Sequence, residues 1–153
     1  MSPKLRKQIA CELEQLNHLI ETARPLLALP GEAAPEVPHM WAVGAVLQSF
    51  YSGVENIFKR VALELDGGLP NGGSWHSDLL ESMARGTSGR PPVISEGLVG
   101  RPRDYLEFRH VFRSAYVFLL RWDRMAPVAA ACEETLRLVE QELEAFVQRA
   151  GKE

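Results

Sequence analysis

The chain has 153 residues, 46% of them hydrophobic and 24% charged, with a net charge of −3. That size suits one globular domain, 1–153, built around a single core, and the charge excludes a protein-wide basic field of the kind that holds nucleic acid. Two cysteines without a CxxC pair, no secretory leader and no apolar run of membrane-spanning length point to a cytoplasmic chain with reduced thiols and no membrane partner.

The first predicted element runs from Pro3 to about Leu29. Leu5, Ile9, Leu13, Leu16, Ile20, Leu26 and Leu27 recur at helical spacing behind a Ser2-Pro3 start. Pro25 is expected to bend or end this helix near Arg24. Residues 30–38, with three prolines and a glycine, read as a loop.

The second helix spans His39 to Leu65. Its apolar stripe is wide and made mostly of small residues, with Gly44 and Gly53 inside it. A glycine in a helix interior costs about 1 kcal/mol relative to alanine, so close approach of a neighbour is the reason to expect for both. Asp66 to Gly73 breaks the pattern. A short helix follows from Trp75 to about Arg85, capped by Ser74, with Trp75, Leu79, Leu80 and Met83 inward. In this helix Trp75 reads as a packing anchor and His76 as a structural residue of the first turn.

After a loop at residues 86–92, Ser95 opens a turn of helix. A kink is expected near Gly100-Arg101-Pro102, then a continuous helix from Pro102 to about Leu120. Arg121-Trp122 makes a turn, and Asp123 caps a last helix with the stripe Val128, Ala131, Cys132, Thr135, Leu138, Val139, Leu143, Phe146 and Val147. No segment alternates as a strand would. The expected fold is all-α: an up-down bundle of four main helices plus one short helix.

Several chemistries lack their residues. The glycines between Asp66 and Gly73 are not followed by Lys-Ser or Lys-Thr, so they do not form a phosphate-binding loop. There is no HExxH and no GxSxG, and no cofactor or metal is expected.

What remains is the stretch Glu107 to Tyr116. At about 100° per residue, Phe108, Phe112, Ala115 and Leu119 fall on one side of a helix, and Arg109, His110, Arg113 and Ser114 on a broad arc facing away. From Arg101 to Arg124 the basic residues outnumber the acids, whereas from Glu133 onward the acids dominate. Leu106, Val117 and Leu120 lie on the arginine side, as expected if a second subunit covers them. Ion pairing of Arg109 and Arg113 with Glu55 or Glu107 is the plainer alternative, and Tyr116 fits equally as a core tyrosine with a bonded hydroxyl.

Four blocks taken together resemble the HepT-like ribonuclease toxins of the HEPN superfamily. They are Leu47 to Phe58, then Trp75-His76-x-x-Leu79-Leu80, then Pro91 to Ser95, then Phe108 to Tyr116. The resemblance implies a homodimeric helical bundle that cuts RNA without a metal and is neutralised by a nucleotidyltransferase antitoxin, which transfers AMP to a motif tyrosine. The family's motif is an arginine, four to six residues, a histidine, one residue and a tyrosine. Arg109 falls at the arginine and Tyr116 at the tyrosine, but the histidine position holds Ser114. Serine does not shuttle protons near neutral pH as imidazole does. Three readings stay open: His110, one turn earlier, supplies the ring; Arg109 and Arg113 stabilise the transition state by charge alone; or the chain is a non-catalytic partner of the nucleotidyltransferase. Tyr51 and Glu55, on the second helix, are candidates to support the cluster.

Overall fold

The computed structural model describes residues 1–28 and 33–152. Of the expected first helix and loop, residues 29–32 lie outside the described part. Among the described residues the regular structure is helical: α1 (Pro3–Leu27), α2 (Val37–Leu65), α3 (Trp75–Met83), α4 (Glu96–Ser114), α5 (Trp122–Ala130) and α6 (Cys132–Ala150). Four long helices and a short α3 are present, as the sequence indicates. The expected last helix is instead two, broken at Ala131. Among the described residues no helix is long and apolar enough to cross a membrane.

α1 begins as its sequence dictates. The Ser2 hydroxyl accepts from the Leu5 amide at 3.0 Å, and Leu5, Ile9, Leu13, Leu16, Ile20 and Ala23 face inward. The helix continues through Pro25 to Leu27, because proline so close to the end removes little of the remaining ladder.

α2 is the central element, packed by α1, α3, α4 and α5. Being surrounded explains its wide apolar stripe, with Val43, Leu47, Phe50, Tyr51, Val54, Ile57, Phe58 and Val61 all fully buried. Its two glycines mark the closest approaches. A Cβ on Gly44 would meet the Phe112 ring at 2.5 Å, and one on Gly53 would meet Leu16 at 2.5 Å.

A buried clamp fixes where α3 leaves off. Arg90, with no side-chain exposure, donates from Nε and Nη2 to both oxygens of Asp66 at 2.8 Å each. Its Nη1 reaches the carbonyls of Arg85 and Pro91. The amides of Val93 and Ile94 both donate to the Met83 carbonyl. The connector after α3 is thereby tied to the end of α2.

α4 departs from expectation in three ways. It is one helix through Pro102, which sits in its second turn and is buried, so no kink separates two pieces. It ends at Ser114 instead of continuing to Leu120. Ala115 and Tyr116 are extended, and Val117–Leu119 forms a single turn of 3-10 helix. The Ser114 hydroxyl donates back to the His110 carbonyl four residues earlier at 2.6 Å, the local bond a serine makes within a helix. Finally, the buried face of α4 is Leu98, Pro102, Tyr105 and Arg109, so Arg109 points into the protein instead of joining the outward arc. α5 also starts earlier than expected. Arg121 takes the cap position, and Asp123 lies in the first turn, paired to Arg121 at 2.9 Å.

Candidate functional site

Residues from α2, α3 and α4 converge on one half-covered spot. α2 contributes Tyr51, Ser52 and Glu55, which one helical turn places on a common face. α4 contributes Arg109, at the last position of its buried face. α3 contributes His76 from its first turn, next to Trp75.

Arg109 is only 5% exposed. Its Nη2 donates to Glu55 Oε2 at 2.9 Å and its Nη1 to the Ser52 hydroxyl at 3.3 Å. Its guanidinium carbon lies 4.7 Å from the centre of the Tyr51 ring, a cation–π contact. His76 Nδ1 is 2.8 Å from the same Glu55 oxygen and 3.0 Å from Arg109 Nη2. The Trp75 indole stacks on the imidazole with centroids 3.7 Å apart.

Two contacts meet at Nδ1. A carboxylate oxygen bonded to a buried guanidinium is an acceptor, so the 2.8 Å contact fits an Nδ1–H that donates to Glu55. The 3.0 Å approach of Arg109 Nη2 has the geometry of a donor to Nδ1 and fits the other tautomer. With the proton on Nδ1, the Nε2 lone pair faces away from Glu55.

The Tyr51 phenol is pushed above its ordinary range, chiefly by burial and then by the negative charge of Glu55, against the opposing charge of Arg109. Its hydroxyl has no hydrogen-bond partner among the described residues. Glu55 and His76 form a pair, and among the described residues no group of three or more His, Cys, Asp or Glu is arranged to hold a metal ion.

The other candidates lie apart from this cluster. His110, Arg113 and Ser114 are exposed on the outer side of the last turns of α4. The Ser114 hydroxyl is spent on the His110 carbonyl. Tyr116 is 73% exposed and stacks on Phe118 with centroids 5.3 Å apart, so it is not a core tyrosine. Leu106 and Leu120 pack against the protein's own core, which removes them as evidence for a covered face. The exposed apolar residues here are Val111, Tyr116, Val117, Phe118 and Leu119.

Sequence reasoning paired Tyr51 and Glu55 with Arg109 but assigned His76 to structure and overlooked Ser52. The signal for His76 was its place beside Trp75 in the second resembling block. What it lacked was any indication that α3 folds back over α2.

The chain matches the family model described as HepT-like protein over residues 42–150. No curated protein and no solved structure matches it. The matched span runs from the second turn of α2 to the end of α6 and contains every residue of the cluster. The chain belongs to the HepT-like, HEPN-related family.

Proposed function

We propose that this chain is the toxin component of a cytoplasmic toxin–antitoxin pair, a metal-independent endoribonuclease neutralised by a nucleotidyltransferase antitoxin. The observation that carries this reading is the buried network of Arg109, Glu55 and His76. Burying an ion pair is costly, and a hydrophobic replacement is often at least as stable. A chain that keeps such a pair beside a half-exposed imidazole has groups arranged for proton transfer and charge stabilisation. Arg109 holds the network, while His110 and Arg113, on the exposed outer side of the last turns of α4, offer an imidazole and a cation to an RNA strand. Arg113 is exposed and has no ion-pair partner among the described residues, so its guanidinium can fork onto a phosphate. The exposed apolar residues Val111, Phe118 and Leu119 favour a homodimer through this end of the molecule.

Induced expression tests this reading. Growth arrest with loss of cellular RNA, relieved by Arg113→Ala, is the expected result. Unimpaired growth with intact RNA contradicts it.

A second reading is favoured by one specific feature. The motif histidine position holds Ser114, whose hydroxyl is engaged by a carbonyl, while Tyr116 stands exposed. The chain would then be a non-catalytic partner and AMP acceptor. The Tyr116 oxygen would attack the α-phosphorus of ATP, releasing pyrophosphate and a proton. Incubation with the nucleotidyltransferase and ATP, followed by intact mass, distinguishes the outcomes: an AMP adduct lost in Tyr116→Phe supports modification, and an unchanged mass removes it.

A further inference from the structure

We propose that His76, held by Glu55, is the catalytic base that takes the proton from the RNA 2′-hydroxyl, in place of the histidine that Ser114 replaces. The inference rests on the endoribonuclease reading above and names the residue that performs its proton transfer.

The geometry is that of an oriented imidazole. Glu55 is buried and fixed by Arg109, and its carboxylate oxygen lies 2.8 Å from His76 Nδ1, placed to accept a proton held there. A buried carboxylate that holds one ring nitrogen protonated leaves the other as the base, the arrangement by which an acid orients histidine in nucleophilic hydrolases. Trp75 stacked on one ring face restricts rotation about the side chain. The His76 side chain is 35% exposed, and its Nε2 has neither a hydrogen-bond partner nor a buried, unpartnered environment among the described residues. Of the four histidines, His76 is the one with a carboxylate partner among the described residues. His18 and His110 are exposed and His39 is half-buried, and none of the three has a carboxylate partner among the described residues.

The step balances without an outside reagent. The 2′-hydroxyl proton passes to His76 Nε2 as the 2′-oxygen bonds to phosphorus. The P–O5′ bond breaks and its electron pair leaves with the 5′-oxygen, which takes a proton from water. The hydroxide so formed takes the proton back from the imidazolium. The products are a 2′,3′-cyclic phosphate and a 5′-hydroxyl. Arg109 acts as a positioning residue, since it is buried and its two terminal nitrogens are directed at Glu55 and Ser52.

The test uses the full chain with total cellular RNA as the probe. His76→Asn keeps a donor toward Glu55 but has no basic nitrogen, and is expected to lower cleavage by about 10²–10⁴-fold, the usual share of general base catalysis. His76→Ala is expected to regain cleavage when imidazole is added, which a merely structural histidine would not show. Cleavage by His76→Asn at the wild-type rate overturns the inference and leaves the ribonuclease reading standing. A wild-type chain that does not cut RNA removes both. An independent readout is the ¹⁵N spectrum of the wild-type imidazoles: a proton on Nδ1 and a lone pair on Nε2 of His76 are expected, and the opposite tautomer overturns the assignment.

Discussion

Arg109 and Glu55, 54 positions apart in sequence, are joined by a buried ion pair of 2.9 Å that links α4 to α2. Each partner's desolvation is compensated by the other and by Ser52, His76 and the Tyr51 ring. Removing one partner strands a buried charge. Arg109→Met or Glu55→Gln alone is therefore expected to cost about 3–5 kcal/mol of folding stability. The double variant is expected to lose less than the sum, by about 0.5–3 kcal/mol. Urea unfolding of the four proteins measures both quantities, and strict additivity would show that the pair is not coupled in solution.

Tyr51 makes a separate prediction. Its ring is fully buried under Arg109, while its hydroxyl finds no partner among the described residues. Tyr51→Phe keeps the ring and removes a buried polar group, whose desolvation costs about 1–3 kcal/mol when unmet. The variant is expected to match or exceed the wild-type melting temperature. A marked fall would mean that the hydroxyl is bonded in solution.

The extent to which the sequence foretold this arrangement differs by element. Helical periodicity placed the start of α1 and both ends of α2 to within two residues, because each has an uninterrupted apolar stripe and a proline near its start, although α1 runs on through Pro25, where a bend or end was expected. It misjudged α4. The buried face there is Leu98, Pro102, Tyr105 and Arg109, and a stripe that includes a proline and an arginine does not read as core. Phe108 and Phe112 drew the expected inner face about one residue away, although they are only half-buried and stack on each other 5.7 Å apart. That rotation is why Arg109 was placed among the exposed cations. His76 was missed for a different reason. Its role depends on α3 folding against α2, and that is set by the Asp66–Arg90 clamp, a contact between two loops that no periodicity encodes.

The clamp itself is open to test. Arg90 satisfies Asp66 with both arms of its fork and three carbonyls besides. Arg90→Ala is expected to destabilise by about 3–5 kcal/mol. Arg90→Lys is expected to recover little of that, because an ammonium cannot reproduce the planar fork. Thermal unfolding checks both, and a lysine variant of wild-type stability would contradict the bidentate geometry.

The two cysteines are expected to differ in reactivity. Cys11 is exposed, whereas burial pushes the Cys132 thiol up to about 12. At pH 8 Cys132 thus remains a protonated thiol, which is not the nucleophilic form. Iodoacetamide at that pH is expected to add to Cys11 alone in the native protein and to both in denaturant. Rapid native labelling of Cys132 would show that the packing of α6 opens readily.

The most direct measurement of the proposed activity is cleavage of RNA by the purified full chain in the presence of a chelator. The expected result is cut RNA ending in a 2′,3′-cyclic phosphate, undiminished by the chelator and strongly reduced in Arg113→Ala at an unchanged melting temperature. RNA left intact by the wild-type chain would contradict the endoribonuclease assignment, and RNA cut equally well by Arg113→Ala would contradict the role given to Arg113.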